Sequence, residues 1–140
     1  GAPGLAVASW SGASDVFRRQ GYGNLVGDEC IKTVARTLGL SAPRAMDFVA
    51  RYGGEEFCVL LSESDKEMAL LVALTCLDAV RDLALPHKQS SIENYVTISI
   101  GVSTLVAAPN MTPCVLIGNA DEALYRAKNK GRNCVIVSED

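Results

Sequence analysis

The chain is short of the residues that carry most nucleophilic and zinc chemistry. It has a single histidine, His87, in "LALPHKQSS". A Ser-His-Asp relay or a histidine metal site would have to rest on that one loop residue. Five cysteines, Cys30, Cys58, Cys76, Cys114 and Cys134, are scattered without a CxxC pair, which removes the zinc-ribbon and dithiol-redox readings. Most fall inside apolar periods, where a free thiol acts as a small hydrophobe, and they are expected to stay reduced in the cytoplasm. There is no excess of positive charge: 13 Lys and Arg against 16 Asp and Glu give a net charge of -3. That argues against a broad electrostatic footprint for DNA and leaves room for a local basic pocket. No apolar run approaches the ~18 residues of a membrane span. No signal peptide is visible, and no repeat or low-complexity tract breaks the chain. Neither DNA nor membrane contact is therefore expected.

What is present is a core. Apolar residues make up 49% of 140 positions, enough for one compact domain over residues 1–140. "LAVASW" (Leu5 to Trp10) reads as a buried strand. "GDECIKTVARTLG" has Ile31, Val34, Ala35 and Leu38 at helical spacing, with Gly39 as its stop. "DFVARY" and "EEFCVLL" flank Gly53 and Gly54, which predicts a β-hairpin closed by a two-residue type I′ turn. In the next segment Ser64 and Glu67 form a capping box, and Leu70, Ala73, Leu74 and Leu77 make an apolar stripe. "YVTISIGVS" alternates, with Val96, Ile98, Ile100 and Val102 on one side, and predicts a half-buried strand. "NADEALYRAKNKG" predicts a helix with Asn119 as N-cap and Gly131 as stop, and "NCVIV" a last strand. The order is an α+β, ferredoxin-like βαββαβ core with an additional C-terminal helix and strand. That plan brings the end of the first strand, near Ser11, to the same sheet edge as the hairpin tip at Glu55.

Two adjacent glutamates before a strongly apolar strand would ordinarily be a solvated strand start. Here "RYGGEEF" (Arg51 to Phe57) resembles the signature of GGDEF domains in its Glu-Glu form. "YGNLVGDECI" (Tyr22 to Ile31), "TISIGVS" (Thr97 to Ser103) and "ADEALYRAKNKGRN" (Ala120 to Asn133) resemble three further family segments, in the family's order. The resemblance covers the chain from Leu5 onward. It implies a fold of the nucleotidyl-cyclase, palm-like kind and a diguanylate cyclase, which joins two GTP into cyclic di-GMP with loss of pyrophosphate. Such phosphoryl transfer depends on positioning and charge neutralisation, with Mg²⁺ or Mn²⁺ held by hard oxygen ligands. By resemblance, Glu55 is the metal ligand from the hairpin and Glu56 an accessory acid. Gly53 and Gly54 leave room for the nucleotide, and Asp28 reads guanine's N1-H and 2-amino donors. Lys128 and Arg132 meet the polyphosphate. Read without the family, Asp28 is a helix N-terminal charge and the two cations offset a helix C-terminus. Each domain holds one GTP, so a homodimer is implied.

The first strand's end departs from the family pattern, Asp-x-Asp-x-Phe-Lys. Counted back from Tyr22 without gaps, Ser11 stands at the first metal aspartate, Val16 at a phosphate-contacting lysine and Arg19 at a guanine-binding asparagine. A hydroxyl is a weaker Mg²⁺ ligand, and a backbone carbonyl near Gly12 would have to complete the set. Arg19 cannot accept a hydrogen bond. A second register is open, in which two residues are missing before Gly21. Asp15 and Arg18 then match the second aspartate and the basic residue, and Ala13 takes the metal position. Either way the first metal carboxylate is replaced. The alternative function is thus a catalytically inactive relative that binds GTP or cyclic di-GMP as a sensor. Upstream, "RAMD" (Arg44 to Asp47) resembles the family's inhibitory product site, where an Arg fork meets phosphate or guanine and Asp reads guanine's donors. The chain is expected to be one part of a longer signalling protein.

Overall fold

The computed structural model describes residues 4–11, 23–41, 48–51, 56–62, 65–84, 96–106 and 113–139, with side chains from 32–41, 58–61, 65–84, 96–105 and 114–139. In chain order the described elements are β1 (Gly4–Ser11), α1 (Gly23–Ser41), β2 (Phe48–Arg51), β3 (Glu56–Ser62), α2 (Lys66–Asp82), β4 (Ser99–Val106), α3 (Pro113–Asn129) and β5 (Val135–Val137). The sheet order is β2-β3-β1-β4-β5. Its first four strands pair antiparallel, and β5 runs parallel to β4. That is the expected split βαβ plan, extended by one helix and one strand.

Two layers of helix cover the sheet. On one face α1 and α2 bury Val34, Leu38, Ala69, Ala73, Cys76, Leu77 and Val80 against Val59 and Leu61 of β3 and Ile100 and Val102 of β4. On the other face α3 lays Leu116 and Ala120 over Cys58, Leu60 and Leu105. Alternation along β3 and β4 sends odd and even positions to different helices. The β4 strand is therefore buried on both faces, not half-buried: Ser99 and Ser103, on its α3 side, are 2% and 1% exposed. Helix and strand come into backbone contact at Gly101, where a Cβ would run into the carbonyl oxygen of Ala120 and the amide nitrogen of Leu124. Fully buried Ala120, Ala123 and Ala127 form the matching flat stripe on α3.

Several boundaries differ from the sequence reading. Gly39 is no stop, because α1 runs on to Ser41, whose hydroxyl donates back to Thr37 O at 2.9 Å. The cap of α2 is Asp65, not Ser64: its Oδ1 accepts from Met68 N at 2.8 Å, leaving Glu67 a first-turn charge. The buried stripe of α2 is Ala69, Ala73, Cys76, Leu77 and Val80, while Leu74 is exposed. The helix is thus rotated so that its small residues meet the core. Asn119 lies inside α3, which starts at Pro113; proline suits a first helical turn because its missing N–H is not needed there. Gly131 does end α3: Arg132 N donates to Ala127 O (3.0 Å) and Gly131 N to Lys128 O (3.4 Å), the paired bonds of a Schellman motif with glycine at positive φ. The hairpin ladder ends with Arg51 opposite Phe57, one residue off the pairing that a two-residue Gly53-Gly54 turn requires. This register sets Val49 against Val59, apolar against apolar, and burial of one sheet face is among the constraints that specify strand register. Gly53 and Gly54 themselves lie outside the described residues.

Two stability predictions follow from this packing. Gly101→Ala should cost about 3 kcal/mol, because the obstructing atoms are backbone. Gly39→Ala and Gly118→Ala, helical sites with open space around them, should gain roughly 0.5–1 kcal/mol; urea denaturation checks all three. Burial pushes the Cys76 thiol from 9.0 up to about 11, against a weaker opposite pull from the Ser41 hydroxyl. A thiol that folding holds protonated stabilises the native state below about pH 9 and gives that up as pH climbs through about 11. Between pH 8 and 10.5 the urea midpoint should therefore fall further for the unmodified chain than for Cys76→Ser, measured side by side.

Candidate functional site

One edge of the sheet gathers the residues of interest. The β1 strand ends there, and β3, β4 and β5 begin there. Ser11 lies directly opposite Glu56 of β3 on one side and Ser99 of β4 on the other. The expected meeting of the first strand's end with the start of the hairpin's second strand is thus present in the backbone ladder. Counting by twos from Gly101, which faces α3, puts the Glu56-Ser11-Ser99 row on the α3 side of the sheet.

The α3 helix runs antiparallel to β4, with Leu116 near Leu105 and its last turn near Ser99. Its C-terminal end therefore arrives at the same edge, carrying Lys128 in the last turn and Arg132 three residues beyond Asn129, the last helical position. Arg132 and Asn133 both adopt left-handed backbone, φ 63° and 51°, after Gly131 at φ 119°. Such a run is rare for side chains other than glycine and asparagine. It is pinned by Asn133 N donating to the buried Ser99 Oγ at 3.2 Å and by Ile100 N donating to Cys134 O at 2.9 Å. Among the described residues, neither Lys128 nor Arg132 enters an ion pair, whereas Arg126, two residues before Lys128, pairs with Glu139 at 3.6 Å.

Asp28 lies in the second turn of α1, which starts at Gly23. The macrodipole acts mainly on the first turn, so a purely electrostatic helix-start role fits Asp28 poorly. Gly12, Arg19, Arg44, Asp47, Gly53, Gly54 and Glu55 lie outside the described residues, as does His87. The row holds one carboxylate residue, Glu56, and two hydroxyl residues. These are hard oxygen donors of the kind Mg²⁺ takes, fewer in charge than a two-carboxylate site. Among the described residues no group of three His, Cys, Asp or Glu could hold a metal ion.

Thiol chemistry is disfavoured here, as the sequence suggested. Burial first, and the negative charge of Asp121 second, push the Cys58 thiol up, which keeps it protonated and unreactive. Cys134 donates weakly to Ala127 O at 3.5 Å. Sequence reasoning missed Arg81, Ser99 and Asn133 as organisers of this edge. For Asn133 a signal existed, since asparagine after Gly-Arg tolerates left-handed backbone; for Arg81 none did. No described helix is long and apolar enough to cross a membrane.

Comparison with known proteins identifies the family of the chain. The family described as "Diguanylate cyclase, GGDEF domain" matches residues 18–134. The probable diguanylate cyclase DgcT of Escherichia coli (strain K12) is 42% identical over 119 residues, covering 84% of this chain. The chain spans only 26% of that relative's length. The crystal structure of the GGDEF domain of DgcB from Caulobacter crescentus, in complex with c-di-GMP, superposes with a TM-score of 0.78 at 28% identity, covering 99% of this chain and 80% of that one. The active GGEEF domain of a diguanylate cyclase from Vibrio cholerae gives 0.79 at 25% identity, covering 98% and 84%. A family match over most of the chain, the βαββαβ sheet and the shared edge of Ser11, Glu56 and Lys128 lead to one conclusion: the chain belongs to the GGDEF family of diguanylate cyclase domains.

Proposed function

We propose that residues 1–140 form a single GGDEF domain, part of a longer cytoplasmic signalling protein, that condenses two GTP into cyclic di-GMP. The observation that carries this reading is the register of Ser11 against Glu56, with the cationic end of α3 brought to the same edge. Each GTP binds one domain, and two domains meet face to face. The 3′-oxygen of one GTP bonds to the α-phosphorus of the other, the bond from that phosphorus to the β-phosphate bridge oxygen breaks, and pyrophosphate leaves. The step occurs twice and closes the ring.

Asp28 accepts from guanine's N1-H and 2-amino groups, which adenine does not present together. Gly53 and Gly54 admit the nucleotide, Lys128 and Arg132 neutralise its polyphosphate, and Arg19 lies by the base. Glu55, the hydroxyl of Ser11 and the carbonyl of Gly12 would hold Mg²⁺ or Mn²⁺, with Glu56 as accessory acid. A bound divalent ion supplies charge neutralisation and a more acidic 3′-hydroxyl. Arg44 and Asp47, the latter immediately before the outermost strand β2, form a product site at which cyclic di-GMP restrains turnover.

One observation favours a second reading. The position opposite Glu56 is a serine, and a neutral ligand there weakens divalent-ion binding. A domain that binds GTP or cyclic di-GMP without turnover, signalling through a partner, is consistent with that row. Incubating the protein at high concentration with GTP and Mg²⁺ or Mn²⁺, followed by nucleotide chromatography, separates the two. The cyclase reading expects cyclic di-GMP, a loss of about 100-fold or more in Glu55→Ala, and a gain of about tenfold in Ser11→Asp as a charged ligand is supplied. No product, together with tight nucleotide binding by calorimetry, would establish the sensor instead.

A further inference from the structure

We propose that Arg81 is a positioning residue for the nucleotide's polyphosphate, acting through Asn133 on Arg132; this rests on the reading of Arg132 as a phosphate contact. Arg81 closes the last turn of α2, on the sheet face opposite α3. It reaches round to the segment that leaves α3 for β5. Its Nε donates to Asn133 Oδ1 at 2.9 Å and its Nη2 to Asn133 O at 3.3 Å. One planar fork thus grips both the side chain and the backbone of a single residue, a geometry lysine cannot reproduce. Its remaining nitrogen, Nη1, lies 3.5 Å from Asp78 Oδ1, which holds the guanidinium on the helix it comes from.

The grip falls where the backbone is least willing. Arg132 and Asn133 are consecutive left-handed residues, a conformation that persists only where surroundings over-determine it. Four contacts do so: Arg132 N to Ala127 O, Asn133 N to Ser99 Oγ, Ile100 N to Cys134 O and the Arg81 fork. The first two hold the amides; only the fork holds the oxygens of Asn133, and so the orientation of the peptide that follows it. The direction in which the Arg132 side chain leaves the backbone is set by that same left-handed pair. Ser99 lies opposite Ser11 in the ladder, so the clamp also references the cation to the end of β1. A bare structural staple would need none of this at the nucleotide edge, and the two functions separate experimentally.

The test is a double-mutant cycle on the whole chain, read by calorimetric titration with a non-hydrolysable GTP analogue and Mg²⁺, with guanosine as the phosphate-free control. Arg81→Ala should weaken the analogue about tenfold and leave guanosine unchanged. Arg132→Ala should do the same, and the double variant should bind no more weakly than Arg132→Ala alone, because Arg81 works through it. Arg81→Lys should fall between Arg81→Ala and the unmodified chain, and it replaces Arg81→Ala in the cycle if the alanine variant does not fold by circular dichroism. Unchanged binding in Arg81→Ala, or losses that multiply in the double variant, would overturn the proposal. Unchanged binding in Arg132→Ala would instead remove the phosphate role of Arg132, and the proposal with it.

Discussion

Everything at the candidate site hangs on how closely α3 lies on β4. The helix presents Ala120, Ala123 and Ala127, all fully buried, and the strand answers with Gly101, whose missing side chain is the space the helix backbone occupies. Contact between backbones leaves no slack: the helix can neither slide along the strand nor lift from it without opening a cavity. Its C-terminus is therefore delivered to a fixed height, level with Ser99. The Schellman closure at Gly131 then turns the chain back into β5 within a few residues. A wider helix seat would leave Lys128 and Arg132 attached to a movable lever, and no arrangement of cations would be reliable at the sheet edge.

The edge itself is a meeting of elements that are distant in sequence and adjacent in the ladder. Glu56, Ser11 and Ser99 come from three strands, and the cationic segment comes from the third helix-to-strand connection, α3 to β5. The carboxylate residue Glu56 belongs to the sheet and the cations Lys128 and Arg132 to the end of the helix layer. The same row has a hydroxyl residue in the middle, Ser11, opposite Glu56. Whatever divalent ion such a row takes, it meets less negative charge than a row with a second carboxylate would provide.

The topology was legible because hydrophobic alternation and spacing encode it directly. Ile98, Ile100 and Val102 announced a strand, and β-α-β-β-α-β order left few sheets to choose from. That the end of the first strand near Ser11 shares a sheet edge with the hairpin's second strand followed from that order, while the pairing of Ser11 with Glu56 comes from the ladder. Boundaries were less legible, because competing local signals are nearly equal in strength. Ser64 and Asp65 are both good caps, and the choice fell to the one whose oxygen reaches Met68 N. Gly39 carries a stop signal, yet α1 continues to Ser41. The hairpin register was misjudged because a Gly-Gly pair suggests its own two-residue turn, whereas the ladder sets Val49 against Val59 and Arg51 against Phe57. The Arg81 to Asn133 clamp joins residues 52 apart, and no periodicity carries a contact between one arginine and one asparagine at that distance.

The central claim is that this edge, and not the opposite end of the sheet, receives a guanosine polyphosphate. Backbone amide shifts of the isotopically labelled chain, followed on addition of a non-hydrolysable GTP analogue with Mg²⁺, test it most directly. The account predicts that Ser11, Glu56, Ser99 and the amides from Lys128 to Cys134 move first and furthest. Shifts concentrated instead at Leu105, Val106 and the start of α3, or no saturable shifts at any position, would contradict it.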